Sequence, residues 1–584
     1  MKIHCTNLVS WRVFACILVL YTCLVACNSK TDRETINKGN PPNIIVIMSD
    51  DVGYSDIGCY GSEIETPELD ELATHGVRFS QFYNAARCCP SRASLLTGLY
   101  PAQTGMGLMS GDRGKPGYRG EIGAQCVTIA EVLKPAGYRT YMTGKWHVAR
   151  KRKFENFQDS IYNWPLQRGF DRFYGTIMGA ASYWDPHTLT RDNALISPFN
   201  DLEYEPAGKY YYTDAISDHA VRFIDDHKRG YSESPFFLYV AYTAAHWPLH
   251  APEDEIALHR GRYDDGYAKI RELRHEKLIK LGLIDPEWQL SEKVASWDTV
   301  PHKDWHARNM EVYAAMITRM DKGIGRIVDK LNEEDLLDNT LILYLQDNGG
   351  CDEIIDWYAN DSAFDKSYSS RLYKPLAPNE LQTRAVPAQN REGFSVVLMG
   401  VNTMAGSDTT YHAYGPAWAN VSNTPFRMFK KWAHEGGIAT PLIAHWPNKI
   451  KDHGQIRHQP GHIIDIMATI LDITGAEYPE YFKGVKIIPF EGKSLLGTMI
   501  SNEPIQREAI FFEHIGNRAI RQGNWKLVSM ESPNFAKFSR IDRLAMDQWE
   551  LFNISNDRTE LHDLSGKYPD KVEEMAQQWQ KWAE

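Results

Sequence analysis

NIIVIMSDD, Asn43 to Asp51, decides how this chain is built. Five apolar residues, Ile44 to Met48, mostly β-branched, stop abruptly in Asp50 and Asp51. A short run without polar alternation reads as a strand buried on both faces, as in parallel sheets, with acids at its carboxyl end. NTLILYLQDNGG repeats the design: apolar Leu341 to Leu345 lead into Asp347, Asn348 and Gly349. PFFLYVAYTAAHWP ends near His246, and YRTYMTGKWH ends in Lys145 and His147. IATPLIAHWP is a fifth run, preceded by Lys430 in NTPFRMFKKWAHEGG. Helix-like segments such as TPELDELATHG and NMEVYAAMITRMDKGIGRIVDKLNEEDLL separate these runs. The alternation predicts an α/β fold with a large, mostly parallel central sheet and helices on both faces. Ligands of such sheets bind beyond the carboxyl ends of the strands. The acids, histidines and lysines are therefore expected on one rim, although hundreds of residues separate them.

Singly, each feature is ordinary. An Asp-Asp pair after a strand is most often a turn or a helix cap, and DNGG is most often a turn. Together, Asp50, Asp51, Asp347 and Asn348 offer several hard oxygen ligands and no thiolate cluster, which suits Ca²⁺ or Mg²⁺ rather than Zn²⁺.

A second stretch, NAARCCPSRASLLTG from Asn84 to Gly98, places two cysteines side by side. Pro90 fits the first position of a helix, and SRASLLTG reads as a short helix closed by Gly98. Cys88 then sits at or just before a helix N-terminus, where backbone N–H groups and the dipole favour anions. Arg92 adds a permanent positive charge on the first turn. A low-pKa redox thiol at Cys88, or a vicinal disulfide with Cys89, fits the same residues.

The composition, 43% hydrophobic and 24% charged over 584 residues, is that of a globular chain with a large core. A net charge of -11 argues against a general nucleic-acid binder. One local basic run, ARKRK from Ala149 to Lys153, stands out. Such runs are usually solvated; contact with an anionic polymer is the alternative. Of nine cysteines, only Cys59, Cys88, Cys89, Cys126 and Cys351 lie beyond Cys27, too few and too scattered for a disulfide scaffold. The chain opens with Lys2 and Arg12, then an apolar stretch of about 14 residues, signal-peptide length and too short to span a bilayer. It closes on Leu24-Val25-Ala26-Cys27, which resembles the lipobox of bacterial lipoproteins, with Cys27 as the acylated residue. The expectation is an exported lipoprotein held by a lipid anchor in the periplasm, at the outer membrane or on the cell surface.

CCPSRASLLTG resembles the signature of the sulfatase family, in which the first cysteine is oxidised to formylglycine. SDDVGYSDIGCYG, GKWH, HWP, DNGG and HEGGIATPLIAHWP extend the resemblance from about Asn43 onward. GNWKLV and WELFNISNDRTELHDLSGKYP look like the small C-terminal domain of such enzymes. The resemblance implies an alkaline-phosphatase-like fold with a small C-terminal α+β domain. It divides the chain into a signal peptide (1–26), a polar tether (27–41), a catalytic domain (42–504) and a C-terminal domain (505–584). It also implies hydrolysis of sulfate esters of glycans and aryl alcohols, and a maturating partner, either a formylglycine-generating enzyme or an anaerobic sulfatase-maturating enzyme. Carried over by motif, Asp50, Asp51, Asp347 and Asn348 hold Ca²⁺, with residue 88 and a sulfate oxygen completing the shell. Arg92, Lys145 and Lys430 neutralise the sulfate. Residue 88, as an aldehyde hydrate, attacks sulfur with one hydroxyl and expels sulfate through the other. His147 resembles the base for that expulsion, and His246 the acid that protonates the leaving alcohol. Arg87 and Glu353 are expected at the pocket rim, where an arginine and a carboxylate can grip pyranose hydroxyls. Two other readings use these residues. One is a phosphoester hydrolase on the same scaffold, whose relatives often carry two zinc ions and extra His/Asp ligands not seen here. The other is a lipid-anchored glycan-binding protein with an inactive site.

Overall fold

Asn43–Ser49 forms a strand, β1, with all seven residues buried. The computed structural model describes residues 41–355, 372–529 and 549–584. The signal segment, Cys27 and the tether up to residue 40 lie outside the described residues. Successive side chains of β1 enter two different cores: Ile45 and Ile47 one, Ile44, Val46 and Met48 the other. Period-two alternation into two apolar layers explains why the run has no polar face. Full burial of each such side chain contributes roughly 1.5–3 kcal/mol.

Further strands follow as β2 (Val77–Tyr83), β3 (Arg139–Gly144), β4 (Arg172–Thr176), β5 (Phe236–Ala241), β6 (Thr340–Gln346) and β7 (Ala439–His445). Short strands extend both edges to eleven in all, and the order through the middle is β2-β7-β6-β1-β5-β3-β4. The pairs around β1, β5, β6, β3 and β4 are parallel. β7 alone among these seven runs against its neighbours, β2 and β6. On one face lie the helices α3 (Tyr212–Tyr231) and α4 (Lys303–Glu333), with α1 (Pro67–Thr74). The other face is covered in part by α2, Cys88–Thr97, through Leu95 and Leu96. The expected α/β architecture, mostly parallel sheet and covered faces are all present.

α2 begins at Cys88, so Pro90 occupies its third position rather than its first. None of the first four N–H groups has an intrahelical acceptor, so proline is tolerated throughout that turn. Gly98 ends the helix at φ 69°. All five cysteines among the described residues are free thiols.

Beyond the main sheet, Ile510–His514, Asn517–Gln522, Trp525–Ser529 and Trp549–Asn553 form an antiparallel meander. Helix Pro569–Ala583 packs Met575 and Trp579 on one face of it. The opposite face, through Ile510, Phe512, Ala519 and Val528, packs on Tyr83 and Ile438 of the main sheet region.

Candidate active site

The rim predicted from the strand ends exists. Register pairs Ser49 with Gln346, which brings Asp50 and Asp347 to the same level. Lys145 follows β3 directly and donates its N–H to Ala241 O at the end of β5 (2.8 Å). Because β7 is antiparallel, its amino end lies at this rim, and the segment before it carries Lys430. β2, parallel to β6, delivers the chain to Cys88.

Three acids and an amide converge. Asn348 Nδ2 donates to Asp51 Oδ1 (2.7 Å), and Asp51 N–H approaches Asp347 Oδ1 at 3.4 Å. Ligand atoms of Asp50, Asp347 and Cys88 lie within 4.8 Å of one another, as do those of Asp50, Asp51 and His246. All these residues are buried. Lys145 Nζ bonds Asp50 Oδ2, and Lys430 Nζ lies 2.6 Å from Asp51 Oδ1. Asp50 Oδ1 and Asn348 Oδ1 are buried and accept no hydrogen bond among the described residues. Leaving such acceptors unsatisfied is costly. Hard oxygens with free lone pairs, crowded between carboxylates, fit a divalent cation such as Ca²⁺. The electrostatics agree. Burial raises the Asp50 carboxyl, but Lys145, His246 and Arg92 outweigh it and hold it at about 2. Burial and the neighbouring Asp50 charge push Asp347 well above its ordinary range. Two acids driven apart in this way mark a site short of positive charge.

Arg92, expected to neutralise the sulfate, is engaged by the protein itself. Its guanidinium donates to Asp347 Oδ2 (2.8 and 3.1 Å), to Lys145 O (3.1 Å) and toward the Tyr239 hydroxyl (3.5 Å). It fixes Asp347 and the backbone that aims Lys145.

The Cys88 thiol is pulled well below its ordinary range, chiefly by the hydrogen bond with Cys89. Burial opposes this, while Lys145, His147 and Lys430 reinforce it. His147 lies with Cys88 and Cys89 in one cluster. Burial, then Lys145, pushes its imidazole down to about 4, so it is neutral near pH 7. Gly179 packs beneath it: a Cβ there would stand 2.5 Å from His147 Cε1. His246 Nδ1 donates to Trp247 O (2.6 Å), and Nε2 lies 3.4 Å from Asp51 Oδ2. Asp51 and His147 adopt left-handed φ values of 56°, strain that only a well-packed surround sustains.

At the rim, Arg87 Nη2 lies 3.3 Å from Glu353 Oε1, as the sequence anticipates. Glu353 has two further partners that no motif announces: Lys431 Nζ (2.9 Å) and Trp247 Nε1 (3.0 Å).

Also unforeseen is what holds the Lys430 segment. Met428 and Lys431 sit at φ 65° and 84°. Gly349 makes the close approach possible, since a Cβ on it would stand 1.8 Å from Gly436 O. The C-terminal unit then grips the segment. Lys526 Nζ bonds Glu435 Oε1 (2.9 Å) and Glu560 Oε1 (2.7 Å), and Arg558 Nε bonds Glu435 Oε2 (2.7 Å). These four side chains are fully buried and balance in charge. Glu550 adds bonds to Arg427 (2.6 Å) and His434 (2.9 Å). Pairs of charges hundreds of residues from Asp50 leave no local signal in the sequence.

A helix N-terminus, two lysines and two histidines around a cluster of hard oxygen ligands define an enzyme site for a tetrahedral oxyanion ester. The Sulfatase family model matches residues 42–476, and one described as N-sulphoglucosamine sulphohydrolase, C-terminal, matches 426–583. The chain is 30% identical over 565 residues to an uncharacterized sulfatase of Schizosaccharomyces pombe, covering 92% of each. It is 31% identical over 473 residues to an arylsulfatase of Klebsiella aerogenes, covering 78% of this chain and 91% of that one. Among solved structures, Ps i-CgsB in complex with k-i-k-neocarrahexaose shares the fold, with TM-score 0.60, 24% identity and coverage of 93% and 92%. The chain belongs to the sulfatase family and is a hydrolase of sulfuric esters.

Removing Lys526 leaves two buried glutamates sharing Arg558. We expect Lys526→Met to lose about 3–5 kcal/mol of stability, read by denaturant unfolding. The Glu435 carboxyl is buried, but Lys526 and Arg558 hold it at about 2, below its ordinary 4.5. Its contribution is therefore full above about pH 4.5 and is lost as pH falls toward 2. The variant should show a shallower loss of stability over that window; an unchanged slope contradicts the assignment.

Proposed function

We propose that this sulfatase removes sulfate from glycans with a formylglycine at position 88 and Ca²⁺ held by Asp50, Asp51, Asp347 and Asn348, and that it works outside the cytoplasm as a lipoprotein acylated at Cys27. The observation that carries the chemistry is the meeting of buried Cys88, at the start of α2, with those four ligands and with Lys145, His147, His246 and Lys430. A formylglycine hydrate would supply a hydroxyl nucleophile for sulfur and a second hydroxyl through which sulfate is later expelled. A bound Ca²⁺ would supply Lewis-acid polarisation of the sulfate oxygens.

The chain's own residues do the rest. Lys145 and Lys430 place ammonium groups where sulfate charge must be neutralised, and they rest on Asp50 and Asp51 until an anion arrives. The first turn of α2 directs free N–H groups at the same point. His147, neutral near pH 7, is ready to take the proton from the second hydroxyl. His246 commits Nδ1 to Trp247 O, so the proton it can deliver to the departing alcohol is the one on Nε2. Glu353 holds Arg87, Lys431 and Trp247 together at the mouth, where the sugar carrying the ester emerges. Support for a glycan comes from the sulphoglucosamine name of the C-terminal family model and from the k-i-k-neocarrahexaose in a solved structure of the same fold.

Three outcomes test this. Mass spectrometry of active enzyme should show an aldehyde at residue 88 that reacts with hydrazides. Cys88→Ala should abolish turnover of 4-nitrophenyl sulfate, while Cys89→Ala keeps most of it; an intact thiol at residue 88 in active enzyme would sink the mechanism. Exhaustive chelation should lower both activity and Tm, because a ligand bound only by the folded state stabilises it. Undiminished activity in metal-free protein removes Ca²⁺ from the proposal. His246→Ala should slow alkyl sulfates far more than aryl sulfates, since a phenolate departs with less protonation; equal losses contradict the acid role.

A further inference from the structure

Two large cavities lie outside the catalytic cluster, and charge separates them. The larger, 620 Å³, is lined by five carboxylates against three cations and would repel a sulfated chain. The other is a groove of about 490 Å³ bounded by Gly105–Cys126, Tyr162–Arg168 and Phe482–Val485, where three cations, Arg119, Arg168 and Lys483, face two carboxylates, Glu121 and Glu131. Arg119 and Lys483 line it with side chains 53% and 68% exposed. Tyr162, 53% exposed, presents its ring to the same groove, and Phe482 lies opposite under Lys483, whose Nζ is 5.0 Å from the ring centroid.

The basic run ARKRK borders this groove. Arg150 is spent on Asp112 (3.2 Å) and Glu121 (2.6 Å). Lys151, Arg152 and Lys153 are exposed, and none makes an ion pair among the described residues. Glu121, which Arg150 holds, also accepts from the Tyr162 hydroxyl (2.6 Å), and this ties the run to the groove wall. The run also adjoins the catalytic pocket. Lys151 is four residues from His147, at most about 14 Å of chain.

We propose that the groove and its basic border form a second, non-catalytic subsite for a polysulfated glycan, which holds the chain while one sulfate occupies the catalytic pocket. This deepens the glycan reading above and rests on it. Exposed ammonium and guanidinium groups pair with sulfate oxygens along the chain, and the Tyr162 and Phe482 rings offer apolar faces for the intervening sugars. In a chain of net charge -11, three adjacent unpaired cations at the border of one groove form a local attractor for polyanions.

Dextran sulfate is the probe, with neutral dextran as control. Binding is measured on the non-hydrolysing Cys88→Ala protein with and without Lys151→Ala/Arg152→Ala/Lys153→Ala. These three side chains are solvated, so Tm should hold. We expect the triple substitution to weaken dextran sulfate about tenfold, and added salt to erase the difference. Placed in the active enzyme, it should leave kcat/KM for 4-nitrophenyl sulfate unchanged. Equal affinity with and without the run overturns the subsite. So does patch-dependent binding to phosphatidylglycerol vesicles without binding to dextran sulfate, which assigns the run to a membrane surface. Failure of wild-type enzyme to turn over 4-nitrophenyl sulfate instead overturns the catalytic reading, whatever the binding result. Lys483→Ala, on the far wall, should weaken dextran sulfate in the same direction; no effect there confines any contact to the run and overturns the groove.

Discussion

Asp50, Asp51 and Asp347 meet in a space closed to water, and everything around them serves to make that tolerable. Like charges at this spacing repel strongly in a medium less polar than water. Lys145, Lys430 and Arg92 each neutralise one acid, yet Asp50 and Asn348 still hold an oxygen without a donor. The same cations that make the acids bearable are those an incoming anion needs. A pocket built in this way keeps its cations on its own carboxylates, Lys145 on Asp50 and Lys430 on Asp51. The strained backbone at Asp51 and His147 is the local cost of aiming several short side chains at one point.

That arrangement needs a rigid frame, and the frame comes from two sources. Parallel strands fix Asp50, Lys145 and Asp347 through register, while His246, five residues past β5, is held by its loop, its N–H donating to Thr243 O and its carbonyl accepting from the Tyr183 hydroxyl. Lys430 has no strand to fix it. Its segment crosses the rim in an irregular path, held on one side by Gly349 and on the other by the Glu435, Lys526, Glu560 and Arg558 cluster. A buried ion cluster adds little net stability over a well-packed apolar one, but an incomplete one is heavily penalised. The energetic asymmetry selects a single position for the segment.

The sequence revealed the parallel strands because burial on both faces erases polar alternation, and it revealed the acids because they end those runs. It could not reveal that β7 runs backwards, since an apolar run has no written direction. Pro90 pointed to a helix start but misplaced it by two residues, because proline fits any position of the first turn. The motif resemblance puts the Arg92 charge on the sulfate, but sequence does not say where a guanidinium's donors go; here Asp347 takes two. Cys88, Lys145, His147, His246 and Lys430 were picked out by motif, and the fold brings all five together. Glu435, by contrast, looks like any acidic residue near a strand, and its partners stand more than 90 residues downstream.

Cys88 is 1% exposed in the finished fold, and Lys526, Arg558 and Glu560, which hold the neighbouring Lys430 segment through Glu435, come late in the chain. Synthesis therefore imposes an order of events. While Lys526, Arg558 and Glu560 are still unmade, the Lys430 segment has only its Gly349 side to rest on. Domains fold as they emerge, amino end first, so the parallel sheet and its rim form before the sheet of residues 510–553 docks. That docking closes the side of the pocket next to Lys430 and gives the segment its only buried ion cluster among the described residues.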